Sequence, residues 1–370
     1  MLKKLLIIAM SLSVVLMLAV SVSCAPTGGQ QVGAVQESTT TAAAETTAAA
    51  AETTTAAAET TAAEGEKKPV KIGVIQITLE HEYQVMLNRG FLDQAKKMGP
   101  AEVVVQVNDM NPEKCVKVAE DLIAAGVNAI ICAPADPASW KSVLELCKKA
   151  GIPLLNDGSP QQIEPGMVPF IGTDSLGGGE EAGKFAANWI NENLGGNAKV
   201  VGLTLPTFTD CVARNEGFNK ALKENVKGKI TLIEQNGSGL REKGLEAMEN
   251  ILQGNPDVDV LFGCNDDSAL GGMSAMQAAG LDKKDHLVIG FDGTLGAFNE
   301  IKNDTMMRLD IVQQPYLYAS MHMERAINLA RGEKTIDYYQ SQGPIYIKTP
   351  VVTKENVDEW IKKVSEIMPK

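Results

Sequence analysis

The feature that most limits the possible folds of this sequence is a regular alternation of two kinds of segment, which begins near Val70. Short, almost wholly apolar segments typical of buried parallel strands are separated by segments whose apolar residues recur at helical spacing. The predicted strands are Lys71–Gln76, Glu102–Val107, Ala129–Ala133, Pro153–Asn156 and Val168–Gly172, and the predicted helices are Met86–Met98, Pro112–Ala125 and Ser139–Ala150. This pattern predicts a parallel sheet that helices cover on both faces.

The same alternation starts afresh near Lys199. Its predicted strands are Lys199–Thr204, Ile230–Gln235, Val260–Cys264 and Leu287–Phe291, and its predicted helices are Cys211–Lys223, Arg241–Leu252, Ser268–Ala279 and Leu295–Asn303. A chain of 370 residues is long enough for two modest domains. We therefore predict an α/β fold of two similar lobes, each a doubly wound parallel sheet.

Residues 1–24 have the pattern of an export signal. Two lysines precede the apolar run Leu5–Val22, and small residues precede Cys24. These small residues resemble a bacterial lipobox, in which the cysteine is acylated and becomes the new N-terminus, although Ser21 stands where leucine is usual. The alternative is an uncleaved signal anchor. Both interpretations place the rest of the chain outside the cytoplasm, either in a periplasm or on the outer face of the cell membrane.

Residues 25–68 are dominated by Thr, Ala, Glu and Gly and contain near-repeats of the type Ala-Glu-Thr-Thr. Such a segment has too few large apolar side chains to offset the entropy lost on ordering. It is therefore predicted to be a disordered tether between the membrane and the folded lobes.

The net charge of −12 leaves no basic excess for phosphate contacts, so nucleic-acid binding by the folded part is not expected. Five cysteines follow Cys24, an odd number at irregular spacing, which favours buried free thiols over a disulfide framework.

Motifs for metal, cofactor or catalytic chemistry are lacking in the sequence. The three histidines are too far apart for a zinc motif, and the glycines at 177–179 are not followed by the Lys-Ser/Thr of a phosphate loop. No serine lies in a G-x-S-x-G motif. We expect a protein without metal or cofactor that is not an enzyme.

Polar residues follow several of the predicted strands. In open α/β sheets, ligands bind outside the carboxyl ends of the strands. The segments that follow the strands are Thr78–Gln84, Asn156–Ser159, Asn265-Asp266, Asp292–Thr294 and Gln313-Gln314, and Arg214 lies near the start of the helix after Thr204. Asn, Asp, Arg and Gln offer directional hydrogen bonds that suit vicinal hydroxyls, so the pattern predicts a carbohydrate site.

From about Val70 to the C-terminus the chain resembles the type 1 periplasmic binding proteins of the ribose-binding kind. The resemblance depends on the order and spacing of several motifs, which are Ile152-Pro153, Gly172–Gly178, Arg214–Phe218, Asn265–Gly271 and Gly290–Thr294. It implies that the chain crosses between the two lobes three times, near Asp174, Gln313-Gln314 and Gly343-Pro344. The N-terminal lobe would then comprise residues 69–174 and 314–342, and the C-terminal lobe residues 175–313 and 343–370.

The resemblance also implies a set of ligand-binding residues. Those from the second lobe and the hinge are Arg214, Asn265, Asp292 and Gln313, and Asp157 corresponds to an aspartate of the first lobe. The family usually has an arginine beside that aspartate, where this chain has Gly158 and Ser159. Two adjacent phenylalanines in ribose binders are replaced by Tyr83 and Gln84, preceded by His81. These three residues complete the predicted site.

Each of these residues also has a simpler interpretation. Asp266 is expected to cap the following helix rather than to contact ligand. Asn265 and Asp292 also suit turn positions, and Arg214 also suits a charged position on a helix surface. The simpler roles for the remaining residues are a hinge position without ligand contact for Gln313, packing for Tyr83 and a solvent-facing loop position for His81.

The resemblance implies a monomeric, lipid-anchored substrate-binding component of an ABC importer, which captures a monosaccharide or polyol between two closing lobes and delivers it to a permease. A lipid-anchored sensor that presents the sugar to a chemoreceptor or sensor kinase is the first alternative. An exported hydrolase is the second.

Overall fold

The computed structural model describes residues 67–157, 166–281 and 284–368. The export signal with Cys24 and the tether, apart from Lys67 and Lys68, lie outside the described residues, as do Gly158 and Ser159. None of the helices in the described ranges is long and apolar enough to cross a membrane.

Strands and helices alternate along most of the described chain. The strands are β1 (Val70–Gln76), β2 (Ala101–Val107), β3 (Ala129–Cys132), β4 (Leu154–Asn156), β5 (Ile171–Thr173), β6 (Ala198–Thr204), β7 (Ile230–Asn236), β8 (Val260–Gly263), β9 (Leu287–Asp292), β10 (Met307–Val312), β11 (Ile345–Ile347) and β12 (Val351–Val352). The helices are α1 (Glu82–Met98), α2 (Pro112–Ala124), α3 (Pro137–Ala150), α4 (Ser175–Asn193), α5 (Thr209–Asn225), α6 (Arg241–Gly254), α7 (Asp266–Ala278), α8 (Leu295–Lys302), α9 (Pro315–Arg331), α10 (Ile336–Gln340) and α11 (Val357–Ile367).

The first lobe is built on a parallel sheet of order β2-β1-β3-β4. Strand β5 continues it through a parallel bridge between Leu155 and Val168 and pairs with β11. Helices α1 and α9 pack on one face, where Phe91 and Met323 meet Ile72. Helices α2 and α3 pack on the other face, where Trp140 meets Ile130. The sheet is therefore covered on both faces, as the apolar strands predict.

The second lobe repeats this plan. Its sheet has the order β12-β10-β9-β8-β6-β7, and every pair is parallel except β12 with β10. Helices α4 and α5 cover one face, where Phe218 stacks on Phe262 at a ring distance of 4.3 Å. Helices α6, α7, α8 and α11 cover the other face.

The two lobes have the same strand order. In each, the first strand lies between the second and the third, and the fourth follows the third. This order reverses direction between the first and third strands, which is where open α/β sheets bind ligands. The predicted pair of similar doubly wound lobes is thus confirmed, and their switch points lie after β1 and β3 and after β6 and β8.

Three chain segments connect the lobes. The segments between β5 and α4 and between β10 and α9 lie at the expected positions, Asp174 and Gln313-Gln314. The third lies later than the expected Gly343-Pro344, between β11 and β12, because Ile345–Ile347 pairs with β5 in the first lobe. The segments are bonded to each other, since Asp174 N–H donates to Ile347 O at 3.0 Å and the Gln314 amide donates to Lys348 O at 3.0 Å.

Four helices, α1, α3, α5 and α7, begin two to four residues earlier than the apolar pattern predicts. Helix α1 begins at Glu82 rather than Met86, and an acidic first-turn residue is favourable at the positive end of the helix dipole. Helix α7 begins at Asp266 rather than Ser268, because Asn265 is its N-cap. Polar first turns carry no apolar periodicity, so the pattern misses them.

Five cysteines of the described chain are all buried and free, as expected: Cys115, Cys132, Cys147, Cys211 and Cys264.

Helices α4 and α5 pack with their backbones in close contact. An added Cβ at Gly179 would lie 2.1 Å from Arg214 O, and one at Gly217 would lie 2.2 Å from Leu176 O. Real Cβ atoms do not approach backbone oxygens this closely, so the helices can meet in this way only because these positions are glycine. Helices α6 and α7 pack equally closely at Gly271, where an added Cβ would lie 2.0 Å from Arg241 O.

We expect Gly217→Ala to lower the free energy of unfolding by about 1 to 3 kcal/mol, because the new methyl group forces α4 and α5 apart. Gly254→Ala is the matched control, since nothing lies within 4 Å of a Cβ there and alanine favours the helix. Urea denaturation followed by circular dichroism measures both. Equal stabilities for the two variants would contradict the close packing described.

Candidate ligand-binding cleft

All eight residues of the predicted site line one cavity of about 150 Å³ between the two lobes. They are His81, Tyr83, Gln84, Asp157, Arg214, Asn265, Asp292 and Gln313. The first four come from the first lobe, the next three from the second, and Gln313 from a segment that connects them. The sequence therefore identified residues that the fold brings together.

The first-lobe side of the cavity is held by bonds at the strand ends. The buried Gln76 amide, at the end of β1, donates to Gln84 O and to Gln84 Oε1, each at 3.1 Å. Tyr83 and Gln84 lie in the first turn of α1, before the predicted start of this helix at Met86. These bonds fix the orientation of the first turn towards the cavity.

Asp157 continues β4 towards the cavity, and its N–H donates to Cys132 O at 3.0 Å. Its Oδ1 lies 3.5 Å from His322 Nε2, which donates to Ile171 O at 2.9 Å. Burial lowers the pKa of His322 to about 3, so this histidine is neutral at pH 7 and forms no ion pair. Burial raises the pKa of Asp157 well above its usual range, and the charge of Asp210 raises it further. Asp157 Oδ2 has no hydrogen-bond partner among the described residues.

Arg214 projects from α5 and is almost fully buried. Its Nη1 donates to Cys264 O at 2.7 Å and lies 3.5 Å from Asp292 Oδ1, and its guanidinium lies 4.1 Å from the centre of the Phe291 ring. Its Nε has no hydrogen-bond partner within the described ranges. The side chain is therefore fixed in place and still has a donor to offer.

A chain of hydrogen bonds joins the hinge to this arginine. The Thr173 hydroxyl donates to Gln313 Oε1 at 2.8 Å, and the Gln313 amide donates to Asp292 Oδ1. Thr173 ends the strand before the first connecting segment, and Gln313 lies in the second. Gln313 thus lines the cavity and also bonds within the hinge, so its two interpretations do not exclude each other.

The cap of α7 is Asn265 and not Asp266, the residue expected in that role. Asn265 caps α7, since its Oδ1 accepts from Ser268 N at 3.0 Å, and its amide donates to Gly239 O at 2.9 Å. Asp266 does not cap the helix. Its Oδ2 accepts from the N–H and the hydroxyl of Thr294, at 3.0 and 2.7 Å. Asn265 nevertheless lines the cavity, so a ligand contact from its remaining N–H stays a prediction.

Three buried carboxyl groups of the second lobe interact, those of Asp292 at the cavity and of Asp266 and Asp310 behind it. Burial raises the pKa of Asp266 to about 6 and those of Asp292 and Asp310 well above their usual range, and the neighbouring carboxyls raise the last two further. Asp266 Oδ1 and Asp310 Oδ1 find no donor among the described side chains and backbone, and the two carboxyls hydrogen-bond each other when one is protonated. One proton held between the two carboxyls would give each of these oxygens a partner.

A further group of cavity residues was not predicted from the sequence. Phe208, Asp210 and Cys211 line the cavity after β6. Burial raises the pKa of Asp210 to about 6, against the opposing effect of Arg214 and of a hydrogen bond from Ser175 at 3.3 Å. They follow the carboxyl end of β6, so the strand-end rule applies to them as it does to Arg214.

First-lobe residues also contact the second lobe at the mouth of the cleft. His81 Nε2 lies 3.8 Å from Asp267 Oδ2, and Glu82 Oε2 accepts from Gly296 N at 3.3 Å. His81 therefore faces the opposite lobe rather than solvent alone. In the described ranges, no group of three or more Asp, Glu, His or Cys side chains is placed to hold a metal ion.

We expect Asp310→Asn to reduce the loss of stability between pH 4 and pH 8 by about 1 to 2 kcal/mol. The raised pKa values mean that folding favours the protonated carboxyls. Their contribution is complete below the unfolded pKa and is lost as the pH rises through the folded pKa, about 6 for Asp266. An asparagine amide donates to Asp266 without a titrating proton.

Urea titrations at several pH values measure this effect, with the exposed Asp109→Asn as the control. Parallel stability curves for wild type and Asp310→Asn would show that the shared proton does not exist.

Comparison with known proteins agrees with this architecture. Residues 72–334 match the family model of the periplasmic binding protein domain. The ribose import binding protein of Bacillus subtilis is 34% identical over 272 residues, which cover 73% of this chain and 85% of that protein. The ribose import binding protein of Escherichia coli is 31% identical over 284 residues, or 76% of this chain and 90% of that protein.

A solved ABC transporter periplasmic solute-binding protein of Actinobacillus succinogenes, with bound D-allose, superimposes with a TM-score of 0.69. It is 28% identical, and the match covers 79% of this chain and 100% of the other. The family model and the curated relatives cover most of the described lobes, and their names describe binding proteins. The chain therefore belongs to the periplasmic binding protein domain family.

Proposed function

We propose that this protein is the extracytoplasmic substrate-binding component of an ABC importer and that it captures a monosaccharide or polyol between its lobes. The observation that carries the proposal is the cavity itself, in which Asp157 from the first lobe and Arg214 from the second each keep an unpartnered polar atom within the described structure. Burying such atoms without partners costs about 1 to 3 kcal/mol each. Ligand hydroxyls would restore the missing bonds.

Contacts from both lobes give the ligand a preference for the closed arrangement. A hydroxyl held by Asp157 and another held by Arg214 can be bound together only when the lobes approach, so binding shifts the population towards closure. The cross-lobe contacts at the mouth, from His81 and Glu82, accompany the same approach. A permease that recognises the closed shape would then accept loaded protein.

The relatives support this proposal. The curated relatives are named as ribose import binding proteins, and the Actinobacillus structure holds D-allose. We propose that Arg214, Asn265, Asp292 and Gln313 contact the ligand from the second lobe and hinge, and that Asp157, His81, Tyr83 and Gln84 do so from the first lobe. We further propose that the protein is monomeric and that it turns over no substrate.

A thermal-shift screen against pentoses, hexoses and polyols would identify a ligand, because a ligand at 100 times its dissociation constant stabilises the fold by about 2.7 kcal/mol. With that ligand, we expect Arg214→Lys and Asp292→Asn each to weaken binding at least tenfold in titration calorimetry. Arg214→Lys removes the guanidinium donors, and Asp292→Asn removes the charge of the carboxylate. Each weakens a charge-assisted hydrogen bond to the ligand and keeps a side chain of similar size.

Arg89→Ala is the control, since exposed Arg89 pairs with half-buried Asp93 and neither residue is among those that line the cavity. Unchanged affinity in both cavity variants would remove this site assignment.

We also propose that Cys24 carries the lipid that anchors the protein to the membrane. The variant Cys24→Ser should lose the lipid label in cells, because the thiol that would carry the acyl group is gone. Metabolic labelling with a fatty acid and fractionation of wild type and variant measure this, with the buried Cys147→Ser as a thiol control. Equal labelling of both variants would contradict the proposal.

A further inference from the structure

Two carboxylates from opposite lobes line the same cavity, Asp157 after β4 and Asp210 in the first turn of α5. The charge of Asp210 acts on Asp157 strongly enough to raise its pKa. Two buried like charges disfavour each other unless a cation or a proton lies between them. Which ligand Asp157 and Asp210 can bind therefore depends on whether the cavity already supplies a cation to them.

The basic side chains that line the cavity are Arg214 and His81. Arg214 lies 3.5 Å from Asp292, donates to Cys264 O and lowers the pKa of Asp210 by its charge. His81 lies beside Asp267 in the opposite lobe. Neither is placed as a direct partner of Asp157. The sequence from Ala150 to Gly183 contains no Lys, Arg or His, so the segment that follows Asp157 brings no cation either.

The other two acidic residues of the cavity are already engaged. Asp136 caps α3, where its carboxylate accepts from Ser139 N at 2.7 Å. Asp292 faces Arg214 and accepts from the Gln313 amide. Asp210 accepts one hydrogen bond, from Ser175 at 3.3 Å. Asp157 and Asp210 are thus the cavity carboxylates that remain available to a cationic group of a ligand.

An independent observation concerns Asp157 itself. Its side chain is only 4% exposed, and Oδ2 has no hydrogen-bond partner in the part of the chain that the structure describes. The neighbouring His322 Nε2 directs its proton to Ile171 O. A ligand donor is what this oxygen lacks, and an ammonium group supplies both a donor and the opposite charge.

We propose that the ligand carries a cationic amino group in addition to its hydroxyls, as an amino sugar or amino polyol does, and that Asp157 and Asp210 hold this nitrogen between the lobes. This inference depends on the proposed function, because it names the substrate class of the same cavity. Arg214 and Asp292 then serve the hydroxyls. A neutral sugar would leave no cation beside Asp157, since Arg214 acts on Asp210 and not on Asp157.

The test measures matched pairs of probes at pH 7.5 by thermal shift and titration calorimetry. The pairs are D-glucose with D-glucosamine, D-galactose with D-galactosamine, D-mannose with D-mannosamine, and myo-inositol with its monoamino derivative, beside neutral pentoses and linear polyols. We expect one aminated probe to bind at least tenfold more tightly than its neutral parent and than every other neutral probe.

Asp210→Asn and Asp157→Asn should each reduce that preference at least tenfold, because each removes one charge that the nitrogen contacts. Asp121→Asn is the matched control, since it removes the same charge from an exposed pair with Lys117. The ratio of the two affinities is the readout, because a general loss of stability would weaken both probes alike.

The outcomes separate the two proposals. A neutral probe that binds as tightly as the aminated ones, with a ratio unchanged in Asp210→Asn, overturns this inference and leaves the proposed function standing. A panel in which neither neutral nor aminated probes stabilise the protein overturns the proposed function and this inference with it.

Discussion

The hydrogen bond between the Gln313 amide and Asp292 is the interaction on which the cleft depends. Gln313 lies in a segment that connects the lobes, and it accepts from Thr173, which directly precedes another such segment. Asp292 in turn faces Arg214, the buried cation of the second-lobe wall. A single chain of bonds therefore links the position of the hinge to the position of the arginine, so the wall and the hinge are held as one unit.

The fold and much of the cleft were predictable from sequence, for physical reasons. Buried parallel strands are apolar throughout, and helices between them repeat at a different period, so β1, β3, β6 and β9 were each recognised within about two residues of their bounds. The carboxyl ends of parallel strands lie at one edge of each sheet, and that rule selected Asp157 in the first lobe and Asp292 in the second, both of which line the cavity. The resemblance to a family indicated which of the polar residues after the strands contact the ligand.

What sequence could not predict was decided by contacts distant in the chain. The third connection lies after β11 because three residues, Ile345–Ile347, pair with β5, and nothing local in such a short segment identifies its partner strand. Whether Asn265 or Asp266 caps α7 depends on side-chain direction. Asp266 is directed to Thr294, which lies on the next strand–helix connection. Asp210 was missed because the polar start of α5 looked like a loop.

The close backbone contact between α4 and α5 has a consequence for how this cleft can change during evolution. Arg214 O lies 2.1 Å from the position of a Cβ on Gly179, so α5 cannot move closer to α4 to admit a larger molecule. New ligands must therefore be accommodated by the segments before the helices, Glu80–Gln84 and Phe208–Cys211, whose side chains form the opposing surfaces. Descendants of this protein should diverge first in these two segments, while Gly179 and Gly217, behind Arg214, stay the same.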